Sequence, residues 1–432
     1  MTQPLILGLD MGTSGFRADL VRGKQRIFSA QQARMSEHAS RLGCKQTEQS
    51  SQDWLSMLDG LFAQLTDFLP QVNALIADGT SSTLVGVDAY QRVIEPAIMY
   101  NDSRALKQAA SYQALLDPDS PAQGAQSSLA KALWLTENTS ATQIWHQLDW
   151  LYAHLLAEPN QLTKTKQSTY SDINTQLKMG VDLQHLSWPD AIQTLAKWPL
   201  AQPVLPGQLL GSTSLTAQKR WDLPANCQIY AGTTDSIASF LATPASQPGD
   251  LVISLGSTLA FKLISKQPHA SAQHGIYSHR LGDTWLVGGA SNAGGAVYQQ
   301  RFLPEKLSQL SQQLAGISNP QLARYPLTQV GERFPIADSR FPASRFDDLT
   351  DEMAFISITE GLVALEQAAY DQFHKMGLPI KRIFSIGGGL RNQAWQLRRM
   401  AQFGDTLAPL PDPDAPTNTA AFGVTRLITD HF

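Results

Sequence analysis

Leu5-Ile6-Leu7-Gly8-Leu9-Asp10-Met11-Gly12-Thr13-Ser14-Gly15 is the stretch that decides the fold, and Phe16 to Val21 then resume an apolar course. An apolar run, a short polar turn and a second apolar run read as strand, tight turn, strand. Gly12 and Gly15 permit positive φ and close backbone approach, while Thr13 and Ser14 add hydroxyl and amide donors. Asp10 places a hard oxygen ligand at the strand end, so the turn suits a phosphate carrying magnesium. The device recurs: Leu251-Val252-Ile253-Ser254-Leu255 leads into Gly256-Ser257-Thr258 and out through Leu259 to Ile264. Two such hairpins half a chain apart point to an internal duplication, and facing hairpins could grip a nucleoside triphosphate from both sides through backbone amides.

The 432 residues exceed what one core usually fills, which makes two domains of roughly 200 residues the expectation. The apolar share of 43% and charged share of 16% are those of a globular protein and argue against long disordered tails. A net charge of −4 carries no polyanion signature, so a nucleic-acid partner is not expected. Cys44 and Cys227, far apart and without CxxC spacing, support neither a disulfide framework nor a cysteine zinc site, and a reducing cytoplasm fits best. No run approaches the length of a membrane span, and the first residues lack the pattern of a leader segment.

Along the chain, Leu75 to Ala77, Thr83 to Val87 and Ala97 to Tyr100 read as short strands extending the first sheet. Leu129, Leu133, Trp134, Trp145, Leu148, Trp150, Leu151 and Leu155 recur at helical spacing and predict buried helices between about Ser127 and Leu156. Gln228 to Ala231 form a strand ending in Gly232-Thr233-Thr234-Asp235, with an apolar helix after it. Asp235 at that junction suits a general base for an attacking hydroxyl, and a helix cap equally well. Pro244 to Gly249 is the expected domain boundary. Leu303 to about Asp351, broken by prolines, is expected to be irregular; Glu352 to Met376 predict a helix. A strand Arg382 to Ile386 delivers Gly387-Gly388-Gly389, either a nucleotide-contacting turn or a helix start, before a helix from Asn392 to Gln402. No P-loop pattern occurs, and the nine histidines lack zinc-ligand spacing.

Taken together, Gly8-Leu9-Asp10-Met11-Gly12-Thr13-Ser14, Ala231-Gly232-Thr233-Thr234-Asp235, Ser254-Leu255-Gly256-Ser257-Thr258 and Gly387-Gly388-Gly389-Leu390-Arg391-Asn392 resemble the FGGY carbohydrate kinase family over nearly the whole chain. Asp78-Gly79-Thr80-Ser81-Ser82-Thr83, Gly275-Ile276-Tyr277-Ser278-His279 and Gly288-Gly289-Ala290-Ser291-Asn292 look closest to its shorter D-ribulose kinases of cyanobacteria and plants. True xylulokinases usually carry Gly-Gln-Met-His-Gly where this chain has Gly79-Thr80-Ser81-Ser82-Thr83. The resemblance implies an α/β, duplicated actin-like (ribonuclease H-like) fold with an ATP and sugar cleft between two domains. These would be 1–243, joined by a closing helix at about 415–432, and 244–414. It implies ATP with Mg2+ as cofactors and a small sugar as substrate. Asp235 would be the base, and Asp10 the metal ligand and a sugar contact. Gly12, Thr13 and Ser14 would meet the γ-phosphate, and Gly256, Ser257 and Thr258 the other phosphates. Gly388, Gly389 and Asn392 would contact adenosine, with Trp395 as a stacking wall and Ser81 touching the sugar. The implied reaction is phosphorylation of D-ribulose to D-ribulose 5-phosphate. The alternatives are D-xylulose, L-ribulose or another small polyol, or a nucleotide sensor without sugar chemistry. The role of Asp102 is open: it either touches sugar or supports its loop.

Overall fold

The computed structural model describes residues 3–34, 47–156 and 170–430. Cys44 lies outside the described residues, and Cys227 is buried with a free thiol. The chain divides into two compact units, one made of residues 1–242, 280–282 and 419–432, the other of 243–279 and 283–418.

In the first unit the opening sequence forms the Leu5–Met11 and Gly15–Arg22 strands, antiparallel through Asp10 opposite Arg17 and Met11 opposite Phe16. Leu5, Leu7, Leu9 and Met11 point into a core closed by Trp54, Leu58, Leu61 and Phe62. The hairpin continues into Gln25–Ala33, and Ala74–Gly79 lies parallel on the other side of Leu5–Met11. Gln228–Tyr230 and then Leu209–Ser212 extend that side. The other strands predicted to extend this sheet do not join it. Leu84–Val87 and Val93–Ile98 pair with each other and, with Glu48–Gln49 and Gln143–His146, make a separate sheet. Gln143–His146 also interrupts the expected helical region, leaving helices Ser128–Asn138 and Gln147–Leu155 on either side. Trp145 alternates with its neighbours on a strand there, where its burial mimics helical spacing.

The second unit repeats the plan. Thr284–Ala290, Leu259–Ser265, Asp250–Leu255 and Arg382–Ile386 lie side by side in that order, the last parallel to Asp250–Leu255. Its core packs Leu251, Ile253 and Phe261 against Phe355, Ile358 and Leu362 of the helix Asp351–Lys375. Thr350 caps that helix by accepting from the Met353 amide, so the helix starts at Asp351, one residue before the expected start. The segment expected to be irregular contains a helix, Pro304–Gln313, because Pro304 occupies its first turn, where a missing N–H costs nothing.

The last helix, Ala420–Thr429, belongs to the first unit and sits where two glycines let backbones touch. A Cβ on Gly8 would lie 2.0 Å from the Ala421 carbonyl oxygen, and one on Gly423 would lie 2.0 Å from that of Ala238. The helix therefore packs directly on the Leu5–Met11 strand, which carries Asp10, and on the helix that begins with Asp235.

Candidate active site

The functional residues of the first unit gather at the carboxyl ends of its central strands. Asp10 pairs in register with Asp78, and Asp78 with Thr233, so three adjacent strand ends carry Asp10, Asp78 and the approach to Asp235. Asp235 is the first residue of the helix Asp235–Leu241. Thr234 holds the cap position, so Asp235 is not the cap residue, and its Oδ1 accepts from the Ser236 amide at 2.7 Å. Two features fix the approach. Tyr152 Oη accepts from the Gly232 amide at 2.7 Å, and a Cβ on Gly232 would lie 1.6 Å from the Ala77 carbonyl oxygen.

Three carboxyls at neighbouring strand ends repel one another. Burial and the Asp235 charge push Asp10 up to about 6, against the opposing pull of Arg17. Asp78 is fully buried, and neither of its oxygens has a hydrogen-bond partner. Burial, then the charges of Asp10 and Asp235, raise it well above the usual carboxylate range and favour its protonated form. Asp78 was quoted in the sequence only as part of a segment. Its signal was the same as that of Asp10, an acid closing an apolar strand.

The Gly12–Gly15 turn owes its shape to anchored carbonyls. Thr13 O accepts from Gln49 Nε2 at 2.9 Å and Ser14 O from the Arg34 amide at 3.1 Å. A trans peptide points its C=O and the following N–H in opposite directions, so the Ser14 and Gly15 amides are turned to the other side. Neither Gly12 nor Gly15 has the positive φ that the sequence allowed. Glycine is required at 15 for room, since a Cβ would lie 2.5 Å from the Gln32 carbonyl oxygen.

The second unit solves the same problem with other partners. Gly256 O accepts from the Gly295 amide at 2.8 Å and Ser257 O from the Ala296 amide at 3.1 Å, which turns the Ser257 and Thr258 amides away from that helix start. Gly387, at φ 105°, begins the adjacent turn, and Gly388 is exposed at its tip. Asn392 caps the next helix, its Oδ1 accepting from the Trp395 amide at 3.1 Å. Trp395 does not form the expected stacking wall. It is 0% exposed, its indole donates to Glu366 at 2.9 Å, and it lies beneath Gly389, where a Cβ would come within 2.6 Å of the ring. A tryptophan three residues past the cap falls on the core-facing side of this helix, with Ala394, Arg399 and Phe403.

Ser81 is the partly exposed member of an otherwise buried segment from Asp78 to Leu84. The segment is held from within. Gln147 Oε1 accepts from the Thr80 amide and hydroxyl at 2.9 and 2.8 Å, and Ser82, in the left-handed region at φ 62°, donates to the Gln126 carbonyl at 2.8 Å. The buried Lys131 ammonium bonds the carbonyls of Ser82 and Met99, and desolvation draws its pKa well down. Asp102 is fully buried and accepts from the Thr47 amide and from Arg104.

Magnesium is ordinarily held by one or two carboxylates with phosphate oxygens and water completing the shell. Asp10 fits that role, being partly exposed at a strand end beside a turn whose Ser14 and Gly15 amides face away from its anchored carbonyls. Among the described residues no group of three or more His, Cys, Asp or Glu side chains forms a protein-only metal site. The two amide turns fit phosphate oxygens.

Two repeats of one sheet topology, each with an anchored turn at its strand end, define a two-domain, actin-like α/β fold. The chain belongs to the FGGY family of carbohydrate kinases: residues 5–242 match the family's N-terminal domain and residues 251–415 its C-terminal domain. A Bacillus subtilis (strain 168) xylulose kinase is 23% identical, covering 96% of this chain and 87% of its own length. Two solved Lactobacillus acidophilus structures superpose equally well. A gluconate kinase gives a TM-score of 0.82 at 17% identity, and a ligand-bound xylulose kinase 0.81 at 16%. Each covers 98% of this chain and 89% of its own. The fold is thus common to kinases named for different sugars.

Proposed function

We propose that this sugar kinase transfers the γ-phosphoryl group of ATP to a terminal hydroxyl of a ketopentose, D-ribulose giving D-ribulose 5-phosphate. The observation that carries the reading is the row of Asp10, Asp78 and the Thr233–Asp235 segment on adjacent strand ends, beside a turn whose amides are held outward.

Each part has a task. Asp235 accepts the proton of the attacking hydroxyl, and Asp10 holds magnesium and orients the sugar. Bound magnesium supplies charge neutralisation for the transferring group. Thr13 and the Gly12–Gly15 amides meet the γ-phosphate, and Gly256, Ser257 and Thr258 the remaining phosphates. Gly388, Gly389 and Asn392 lie against adenosine. Ser81 faces the sugar from its braced segment, and its small side chain leaves room for a pentulose.

D-xylulose is the second reading, favoured by the name of the B. subtilis relative. Coupled ADP release with ATP and magnesium across D-ribulose, D-xylulose, L-ribulose, xylitol and glycerol tests both, against a control without sugar. Stimulation by D-ribulose supports the first reading, and preference for D-xylulose replaces it with the second. A rate independent of all five, with ATP still bound, replaces both readings with a different substrate or a nucleotide sensor.

A further inference from the structure

Gln49 is 2% exposed and touches no expected ligand, yet its side-chain amide reaches the Gly12–Gly15 turn. Its Nε2 donates to Thr13 O at 2.9 Å, and its Oε1 accepts from the Trp54 indole at 2.8 Å. An indole N–H can only donate, so the carboxamide oxygen must face Trp54 and the nitrogen must face Thr13. Trp54 cannot shift to allow otherwise: it is fully buried and packs edge-on against Trp150 at 5.3 Å between ring centroids. The backbone beneath Gln49 is pinned too. Glu48–Gln49 pairs with Ala97 and Ile98, and the preceding Thr47 amide donates to the buried Asp102.

We infer that Gln49, locked by Trp54, is a positioning residue for phosphoryl transfer: by holding the Thr13 carbonyl it aims the Ser14 amide at the transferring phosphate. The inference rests on the kinase reading. It follows from peptide planarity, since the Thr13 carbonyl and the Ser14 N–H share one plane and rotate together. Without the Gln49 donor the peptide is free to turn, and an amide preorganised for developing charge becomes one that must reorganise.

The test uses the full-length enzyme and three variants. Gln49→Met removes the donor with an unbranched side chain of similar length. Gln49→Glu keeps the acceptor for Trp54 but sets an oxygen against Thr13 O. Trp54→Phe keeps the aromatic packing and frees the carboxamide to flip. Expected losses in kcat, with sugar KM within about twofold, are ~10-fold to 100-fold for Gln49→Met and Gln49→Glu and ~3-fold for Trp54→Phe. Binding supplies an independent readout. A non-hydrolysable ATP analogue should bind Gln49→Met ~3-fold to 10-fold more weakly, while ADP affinity stays within about twofold. A merely structural role would lower the melting temperature and weaken both nucleotides alike, and that result overturns the inference. Unchanged kcat in a folded Gln49→Met variant overturns it alone. A wild-type enzyme that phosphorylates no sugar overturns the kinase reading and the inference with it.

Discussion

The Gly12–Gly15 turn and the Gly256–Thr258 turn occupy equivalent places in two copies of one topology, and they differ in what surrounds them. In each, two successive carbonyls are tied back so that the following amides face out. In the first unit the ties come from the Gln49 side chain and a backbone amide beyond a strand; in the second, from two amides at a helix start. The larger difference lies two residues before each turn. Where Asp10 pairs with Asp78, the second unit pairs Ser254 with Ile386. Duplication therefore supplied the anchored turn twice and the strand-end carboxyl pair once. Backbone donors come with the topology whatever the side chains, so both copies can bind anions. The base and metal ligand proposed above need particular side chains in a partly dry place, and among the described residues the paired strand-end carboxyls lie in the first unit.

That contrast can be broken at several points. The largest effect belongs to Asp235→Asn, which should cut kcat by ~10²-fold to 10⁴-fold with nucleotide affinity and folding nearly unchanged. Retained turnover in steady-state assays would remove Asp235 from the base role. Next, Asp10→Ser gives the first unit the residue type of the second. Turnover should fall ~10²-fold and magnesium titration should lose its steepness, whereas Ser254→Ala should change kcat by less than about threefold. Similar losses in both would mean that the two strand ends are not specialised as described.

Gly294→Ala probes the second turn alone, since its Cβ would lie 2.6 Å from the Ser257 carbonyl oxygen. The KM for ATP should rise ~10-fold while the KM for sugar stays level. A smaller effect should come from pH. With Asp10 pushed up to about 6, protons compete with magnesium at this carboxylate, so the apparent magnesium affinity should weaken as pH falls through about 6. A flat affinity between pH 5 and about 8 would deny Asp10 the metal.

The smallest effect is thermodynamic. The folded-state pKa of Asp78 is raised, so the site is at its most stable below the unfolded carboxylate pKa and loses stability as pH rises through the folded value. Asp78→Asn should therefore raise the melting temperature of the ligand-free protein by ~2–4 °C at mildly alkaline pH, the shift made by ~1 kcal/mol in a domain of this size. The gain should vanish below about pH 4. No gain in a calorimetric scan would show that the buried carboxyl carries no net penalty.

Much of this was legible from local patterning. Apolar strands closing on Asp10 and on Ser254, with glycine and hydroxyl residues after each, announced both hairpins because a strand's burial and a turn's chemistry are written in adjacent residues. The helix Asp351–Lys375 was legible for the same reason. Trp395, Gln49 and the separate sheet of Leu84–Val87 and Val93–Ile98 were not. An apolar strand carries no label for the sheet it joins, and a tryptophan past a glycine turn reads alike whether it lines a ligand or fills a core. Nor does a lone glutamine near a serine reveal that it will meet a carbonyl 36 positions away.

By itself, the sequence determined the two hairpins, the acid at the end of the first, and through them the family. Tertiary structure decided which strands became neighbours, and so that Asp78 would lie buried beside Asp10 while Trp395 sank beneath Gly389. It also decided which way the turn amides face. That direction is set by what binds the carbonyl on the other side of each peptide plane, and those partners come from distant parts of the chain that only folding brings into contact.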